Sequence, residues 1–369
     1  MRVLVVIGTR PEAIKLAPVV RAVEADGATV DCCLTGQHTD LLRPMLDFFR
    51  IPVTFDLNVM TPGQTLAGVA ARILSGIAGV LSDRSYDWVV VQGDTTTAFA
   101  AGLAGHYARV KVAHVEAGLR SFDLAHPFPE EAHRRLIDVF ADGLFVPTEQ
   151  SRDNLLAEGV SPARIHLTGN SGIDALLIAR DRVLEGDVPL PVELPPDSQM
   201  MLVTAHRRES FGEPLETVVR AVVAAVDRRP RLHAVVPLHP NPNVRAAARI
   251  LEGHPRVHTR PPLAYPEFVA AMVRADVIVT DSGGVQEEAP CLGTPVLVVR
   301  ETTERPEGVD AGAVELVGTD TLRITARALA LLDHPPPRTP KFLYGDGQAS
   351  RRIAGVIVRG AAVQLTATA

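Results

Sequence analysis

Short aliphatic runs, each closing on a turn residue, alternate with longer stretches of helical period along most of the chain. In the first half "RVLVVIG", "VDCCLTG", "DWVVVQGD", "VKVAHVEAG", "GLFVPT" and "RIHLTGN" predict strands, each followed by a helix. These runs are continuously apolar rather than alternating, the mark of a parallel sheet covered on both faces. The stretch "EGDVPLPVELPPDSQ", residues 185–199, is rich in proline and acid and is the best linker candidate. After it the pattern restarts with "MMLVTA", "HAVVPLHP", "DVIVTDSGG" and "PVLVVRE". The pattern predicts two doubly wound α/β domains in tandem, with ligands at the carboxyl ends of the strands. The first strand runs into "GTRPEAIKLAP" rather than G-x-G-x-x-G, so a tightly bound dinucleotide is not indicated.

Composition narrows this picture only a little. With 369 residues and 46% hydrophobic content, the chain exceeds what one core usually serves. A net charge of −6 and a pI near 6.1 provide no global field for nucleic acid or anionic membrane. No apolar run reaches the roughly 20 residues needed to span a bilayer. The opening "MRVLVVIGTR" reads as a buried first strand rather than a leader. Cys32, Cys33 and Cys291 have neither disulfide nor zinc spacing, and "HPRVH" at 254–258 reads as a loop without a nearby acid. The expectation is a cytoplasmic protein with no metal and no cofactor.

The candidate chemistry gathers at strand ends. In the first turn Thr9 and Glu12 fit a capping box and Pro11 suits a first helical turn. Arg10 and Lys15 then lie near the positive end of a helix dipole, either as exposed cations or as partners of a bound anion. The second domain repeats the arrangement with His206, Arg207 and Arg208 in "LVTAHRRES". Asp94 follows a strand and is either a helix N-cap or a catalytic acid. Glu116 ends a buried-type strand, where an acid needs a partner or a purpose. Glu130 and Glu131 follow Pro129 at a helix start, the ordinary place for dipole partners. "DSGG" offers backbone N–H groups of Ser282, Gly283 and Gly284 to an anion, while Glu288, a turn further on, suits ribose hydroxyls. Arg305 either binds a diphosphate or pairs with Glu304 or Glu307. "HPNP" is a rigid turn presenting His239.

Taken in order, "GTRPEAIKLAP", "GDTTTA", "HVEAGLRS", "PFPEE", "HRRESFG", "HPNP", "TDSGGVQEEAP", "TERPEG" and "YGDGQASRRI" resemble the non-hydrolysing UDP-N-acetylglucosamine 2-epimerases over nearly the whole chain. The resemblance implies two Rossmann-like domains of GT-B type, with the active site in the cleft between them. Residues 1–170 form the sugar-side domain, 171–345 the UDP-side domain, and 346–369 return towards the first. It also implies a homodimer that interconverts UDP-GlcNAc and UDP-ManNAc, by anti elimination of UDP to 2-acetamidoglucal and syn re-addition. Asp94, Glu116, Glu130 and His206 become the catalytic candidates. Arg10, Lys15, His239, Ser282, Gly283, Gly284, Glu288 and Arg305 become the UDP-sugar contacts. Gln37, His38, Arg72 and Arg207 match part of an activating second-substrate site, although Thr39, Asp40, His133 and Ala313 depart from the usual pattern. An epimerase of a related UDP-hexosamine and a GT-B glycosyltransferase are the alternatives.

Overall fold

A computed structural model describes residues 1–36, 39–61, 63–207 and 210–360. The chain divides into two compact units, Met1–Ala175 joined by the segment from Tyr344 onwards, and Leu176–Leu343.

The first unit holds a parallel seven-stranded sheet: β1 (Arg2–Ile7), β2 (Thr29–Leu34), β3 (Phe55–Asp56), β4 (Trp88–Gln92), β5 (Lys111–Val115), β6 (Gly143–Val146) and β7 (Ile165–Leu167). Their spatial order is β3-β2-β1-β4-β5-β6-β7. Helices α1 (Arg10–Ala25), α2 (Thr39–Phe49), α3 (Leu66–Asp83), α4 (Thr96–Tyr107), α5 (Glu130–Phe140) and α6 (Glu149–Ala157) alternate with the strands, and α7 (Ser171–Leu184) follows β7. The second unit has β8 (Gln199–Thr204), β9 (Leu232–Pro237), β10 (Val257–Arg260), β11 (Val277–Thr280), β12 (Val296–Val298) and β13 (Val314–Leu316), ordered β10-β9-β8-β11-β12-β13. Its helices are α8 (Glu213–Arg228), α9 (Pro242–Ala248), α10 (Tyr265–Arg274), α11 (Gly283–Cys291), α12 (Pro306–Asp310) and α13 (Thr321–Asp333). Helix α14 (Ala349–Arg359) belongs to the first unit, where it lies against α1 and its Arg359 reaches Asp26 at 3.1 Å.

Two Rossmann-like sheets are therefore present, as the apolar runs predict. Strand residues such as Val3–Ile7 and Val277–Val279 are buried because helices cover both faces of each parallel sheet. Each unit closes its own core, one around Leu4, Ile73, Val89 and Leu144, the other around Val203, Val222, Val236 and Val279.

Several details differ from the sequence pattern. Residues 185–198 are irregular but lie within the second unit; the units meet instead inside α7, between Ala175 and Leu176. Part of "HPRVH" is strand, since Val257 and His258 begin β10. Helix α3 is long and apolar enough by length and composition to cross a membrane, with a mean hydropathy of 1.4. No uninterrupted apolar run signals this, because Arg72 divides the segment. Here its Val69, Ile73, Ile77 and Val80 stripe is buried in the first core.

Candidate active site

In each unit the strand order reverses beside the first strand, which leaves a crevice at the carboxyl ends of β1 and β4, and of β8 and β11. The candidate residues are positioned from these ends.

In the first unit the turn after β1 is held from inside α1. The carboxylate of Glu12 accepts the backbone N–H groups of Gly8 at 2.7 Å and Thr9 at 2.5 Å, and it also accepts the Thr95 hydroxyl from the turn after β4. Burial pushes the Glu12 carboxyl above its ordinary range, against the pull of these donors. The capping box is legible in sequence, whereas the tie to Thr95 is not. Gly8 has to be glycine, since a Cβ there would stand 2.1 Å from Thr97 Oγ1.

Arg10 opens α1. Lys15, a turn further along, pairs through Nζ with Glu116 Oε1, and the Gln92 amide donates to Glu116 Oε2. Lys15 thus sits on a carboxylate in this structure, because an acid half-buried at a strand end draws the nearest cation. Glu116 itself has φ +68°, in the left-handed region. Its N–H and that of Ala117 both donate to the Phe145 carbonyl at 3.0 Å, bending the chain away from β5.

Asp94 is not the cap of α4. Thr95 is, through its hydroxyl accepting Ala98 N–H at 3.0 Å. The Asp94 carboxylate is therefore left to pair with Arg134 from α5. Its carbonyl accepts from His133 Nδ1 at 3.0 Å, and the His133 ring stacks on Phe99 with centroids 5.0 Å apart. Glu130 starts α5, half-buried, with no hydrogen bond or ion pair from its side chain among the described residues. Its neighbour Glu131 is the buried one, accepting Ser121 N–H at 2.9 Å and Phe122 N–H at 3.2 Å, with Arg134 at 3.3 Å. Arg134, bridging Asp94 and Glu131, was missed as a functional residue. Its spacing of three from Glu131 on a predicted helix was the available signal.

In the second unit Asp281, wholly buried at the end of β11, accepts the N–H groups of His206 and Arg207 through Oδ2, each at 2.8 Å. Its Oδ1 lies 4.0 Å from His206 Nδ1. The His206 ring stacks on His239 at 5.3 Å and 8°, so two histidines from separate strand ends meet. Burial lowers the His206 pKa, with His239 and Arg207 pushing it further down against Asp281. His239 is fixed by its Nδ1 accepting Asn241 N–H at 3.2 Å.

At "DSGG" one expectation is corrected. Ser282 N–H is donated to Thr280 Oγ1 at 3.0 Å, because the side chain ending β11 reaches it first. The N–H groups of Gly283 and Gly284, in the first turn of α11, have no acceptor within the helix. A Cβ on Gly283 would come 2.9 Å from Arg305 Cζ, so glycine lets the guanidinium lie against the backbone. Arg305 pairs chiefly with Glu287 at 2.9 Å, and with Glu304 only at 3.6 Å. The ion pair expected with Glu304 or Glu307 therefore goes mainly to α11, whose first turns face it. Glu288 accepts the Tyr265 hydroxyl at 3.3 Å.

Arg72 Nε donates to the Val59 carbonyl at 2.9 Å, and Arg207 lies 3.5 Å from Glu304. Gln37, His38 and Arg208 lie outside the described residues. His254 does have an acid, Asp227 at 3.0 Å, brought from α8 by the fold. Among the described residues no cluster of three or more His, Cys, Asp or Glu suits a metal ion.

Doubly wound sheets with charged turns at both switch points define a protein of two Rossmann-like units. A family model described as UDP-N-acetylglucosamine 2-epimerase matches residues 21–358. A UDP-N-acetylglucosamine 2-epimerase of Salmonella typhimurium is 47% identical, covering 96% of this chain and 97% of that protein. The crystal structure of a protein from Listeria monocytogenes superposes with a TM-score of 0.88 at 43% identity, covering 96% of this chain and 95% of that one. The UDP-GlcNAc 2-epimerase from Neisseria meningitidis, solved bound to UDP-GlcNAc, gives 0.86 at 41% identity, covering 97% and 100%. The chain belongs to the UDP-N-acetylglucosamine 2-epimerase family and is an isomerase.

Proposed function

We propose that the chain inverts C2 of UDP-GlcNAc to give UDP-ManNAc, by anti elimination of UDP to 2-acetamidoglucal and syn re-addition. C2 adjoins no carbonyl, so its proton is not acidic, and inversion there needs either oxidation or a leaving group. Elimination uses the leaving group. A carboxylate takes the C2 proton, the C1–O bond electrons depart with UDP, and a C1–C2 double bond forms. Protonation of C2 from the opposite face, with return of the diphosphate oxygen to C1, completes the inversion with no net redox change.

The observation that carries this reading is the pair of carboxylates at neighbouring strand ends. Asp94 follows β4 and Glu116 follows β5, with Arg134 and Lys15 set against them. Cations of this kind hold the two carboxylates in place at the strand ends. Glu130, whose side chain has no partner among the described residues, is the third proton-handling candidate. In the second unit Arg305 and the first turn of α11 supply positive potential for a diphosphate, and Glu288 an acceptor for ribose. His206, kept neutral by burial, and His239 complete the set, with Arg10 on the first unit. The Neisseria relative, bound to UDP-GlcNAc, supports that substrate.

Proton NMR of the protein with UDP-GlcNAc in D2O tests it. The expected product is UDP-ManNAc carrying deuterium at C2. Product that keeps its original C2 proton overturns the elimination. Turnover of another UDP-hexosamine in preference to UDP-GlcNAc corrects the substrate, and transfer of the sugar to an acceptor corrects the reaction.

A further inference from the structure

Next to the two carboxylates in sequence lies a charged network, buried at His114 and Asp138 and reaching the surface at Glu158, that the proposed chemistry does not use. His114, on β5, is wholly buried, with Nδ1 2.7 Å from Asp138 Oδ1 and Nε2 2.8 Å from the Gly93 carbonyl. The other Asp138 oxygen accepts from Arg120 at 2.8 Å and from Gly118 N–H at 3.3 Å. Arg120 in turn forms a two-pronged pair with Glu158, at 2.8 and 2.7 Å.

A carbonyl oxygen and a carboxylate oxygen offer only lone pairs. Each ring nitrogen of His114 must therefore donate, and an imidazole donates from both only when doubly protonated. A protonated Asp138 could donate from Oδ1 to a neutral ring, but the Arg120 guanidinium 2.8 Å from Oδ2 favours the carboxylate form. Burial works to raise the Asp138 carboxyl, but His114 and Arg120 more than offset this and hold it below the ordinary carboxylate range.

The placement gives the charge a purpose. The Gly93 carbonyl belongs to the peptide that leads into Asp94, and Gly93 N–H, on the preceding peptide, donates to the Val115 carbonyl at 2.9 Å, so Gly93 is held on both sides. Gly93 has φ +68°, which glycine adopts without strain and which turns the chain into Asp94. Glu116 lies between His114 and Gly118, and both of these are tied to the single carboxylate of Asp138.

We infer that His114, held as an imidazolium by Asp138, is a positioning residue that sets the Asp94 and Glu116 carboxylates relative to one another. This rests on the reading of those two acids as proton-handling groups.

Histidine-selective 15N labelling of the full chain tests the charge. At pH 8 one ring is expected to show hydrogen-bonded protons on both nitrogens and to vanish from the spectrum of His114→Gln. A wild-type spectrum in which no ring carries both protons overturns the inference, whether or not any variant folds. Kinetics test the positioning. His114→Gln and Asp138→Asn are expected to lose kcat by on the order of 10²-fold, the cost of a small misplacement, with KM and UDP affinity little changed. A purely structural role would lower the melting temperature and leave kcat per folded molecule unchanged, which overturns the inference. Wild-type turnover in Glu116→Gln would remove the site reading itself. An inactive Glu116→Gln beside a fully active His114→Gln removes only the positioning role.

Discussion

At Glu116 a left-handed backbone, an ion pair to Lys15 and an amide bond from Gln92 coincide on one residue. A non-glycine residue in that conformation costs on the order of 1 kcal/mol, a cost tolerated at positions where the strain serves function. Glu116→Gln keeps the shape and removes the charge. Its kcat is expected to fall by about 10²- to 10⁴-fold while calorimetric titration with UDP gives wild-type affinity; undiminished turnover would take Glu116 off the site. The carboxylate at a strand end was legible in sequence. Its partners were not, because Lys15 stands 101 residues away and no local pattern encodes the pairing. The cysteines illustrate the opposite case, where the absence of any motif suffices. Burial pushes the thiols of Cys32, Cys33 and Cys291 up to about 12. The thiolate fraction at pH 8 is then on the order of 10⁻⁴, and all three are expected to resist Ellman's reagent until the chain is unfolded.

Elements show how local signals are completed by distant ones. The N-terminus of α14 is capped not from its own sequence but by Asp174, which accepts Ala349 N–H at 3.3 Å, Ser350 N–H at 2.8 Å and the Ser350 hydroxyl at 2.6 Å. Burial raises the Asp174 carboxyl against these donors. Asp174→Ala is expected to cost about 1–2 kcal/mol, read as a lower urea midpoint, since three donors lose their acceptor. An unchanged midpoint would mean that the cap contributes nothing to holding α14. The cap of α4 teaches the same lesson. Asp94 and Thr95 are both good capping residues, and sequence does not rank them. The fold does, because Arg134 arrives from α5 to take the aspartate.

For the whole molecule, burial lowers the pKa of His166, His206, His233 and His258. Each binds its proton more weakly folded than unfolded, so the unfolded chain takes up more protons as pH falls through 6.5, and stability falls with it. The geometry agrees: His233 Nδ1 and His258 Nε2 share one hydrogen bond at 3.0 Å, which two charged rings could not keep. The urea midpoint is expected to drop between pH 7.5 and pH 5.5, and less steeply in His258→Gln. A flat profile would show that these rings are not held neutral. Two doubly wound units could be read from the order of apolar runs, and so could most strands. The apolar runs alone favour a division at the proline-rich 185–199 stretch, whereas the chain passes from one unit to the other inside a continuous helix, nearer the 170/171 boundary that the resemblance implies.

What the chain determined by itself is whatever depends on neighbours a few residues away. Strand and helix period, the capping box at Thr9 and Glu12, the turns carrying His206 and "DSGG", and the motif order that marks the family are all of this kind. The tertiary structure decided which acid meets which base and which N–H is already taken. Those outcomes depend on atoms brought together across tens to hundreds of residues in a poorly solvated interior. There a polar group must find a partner or change its protonation, and only the folded packing says which partner is within reach.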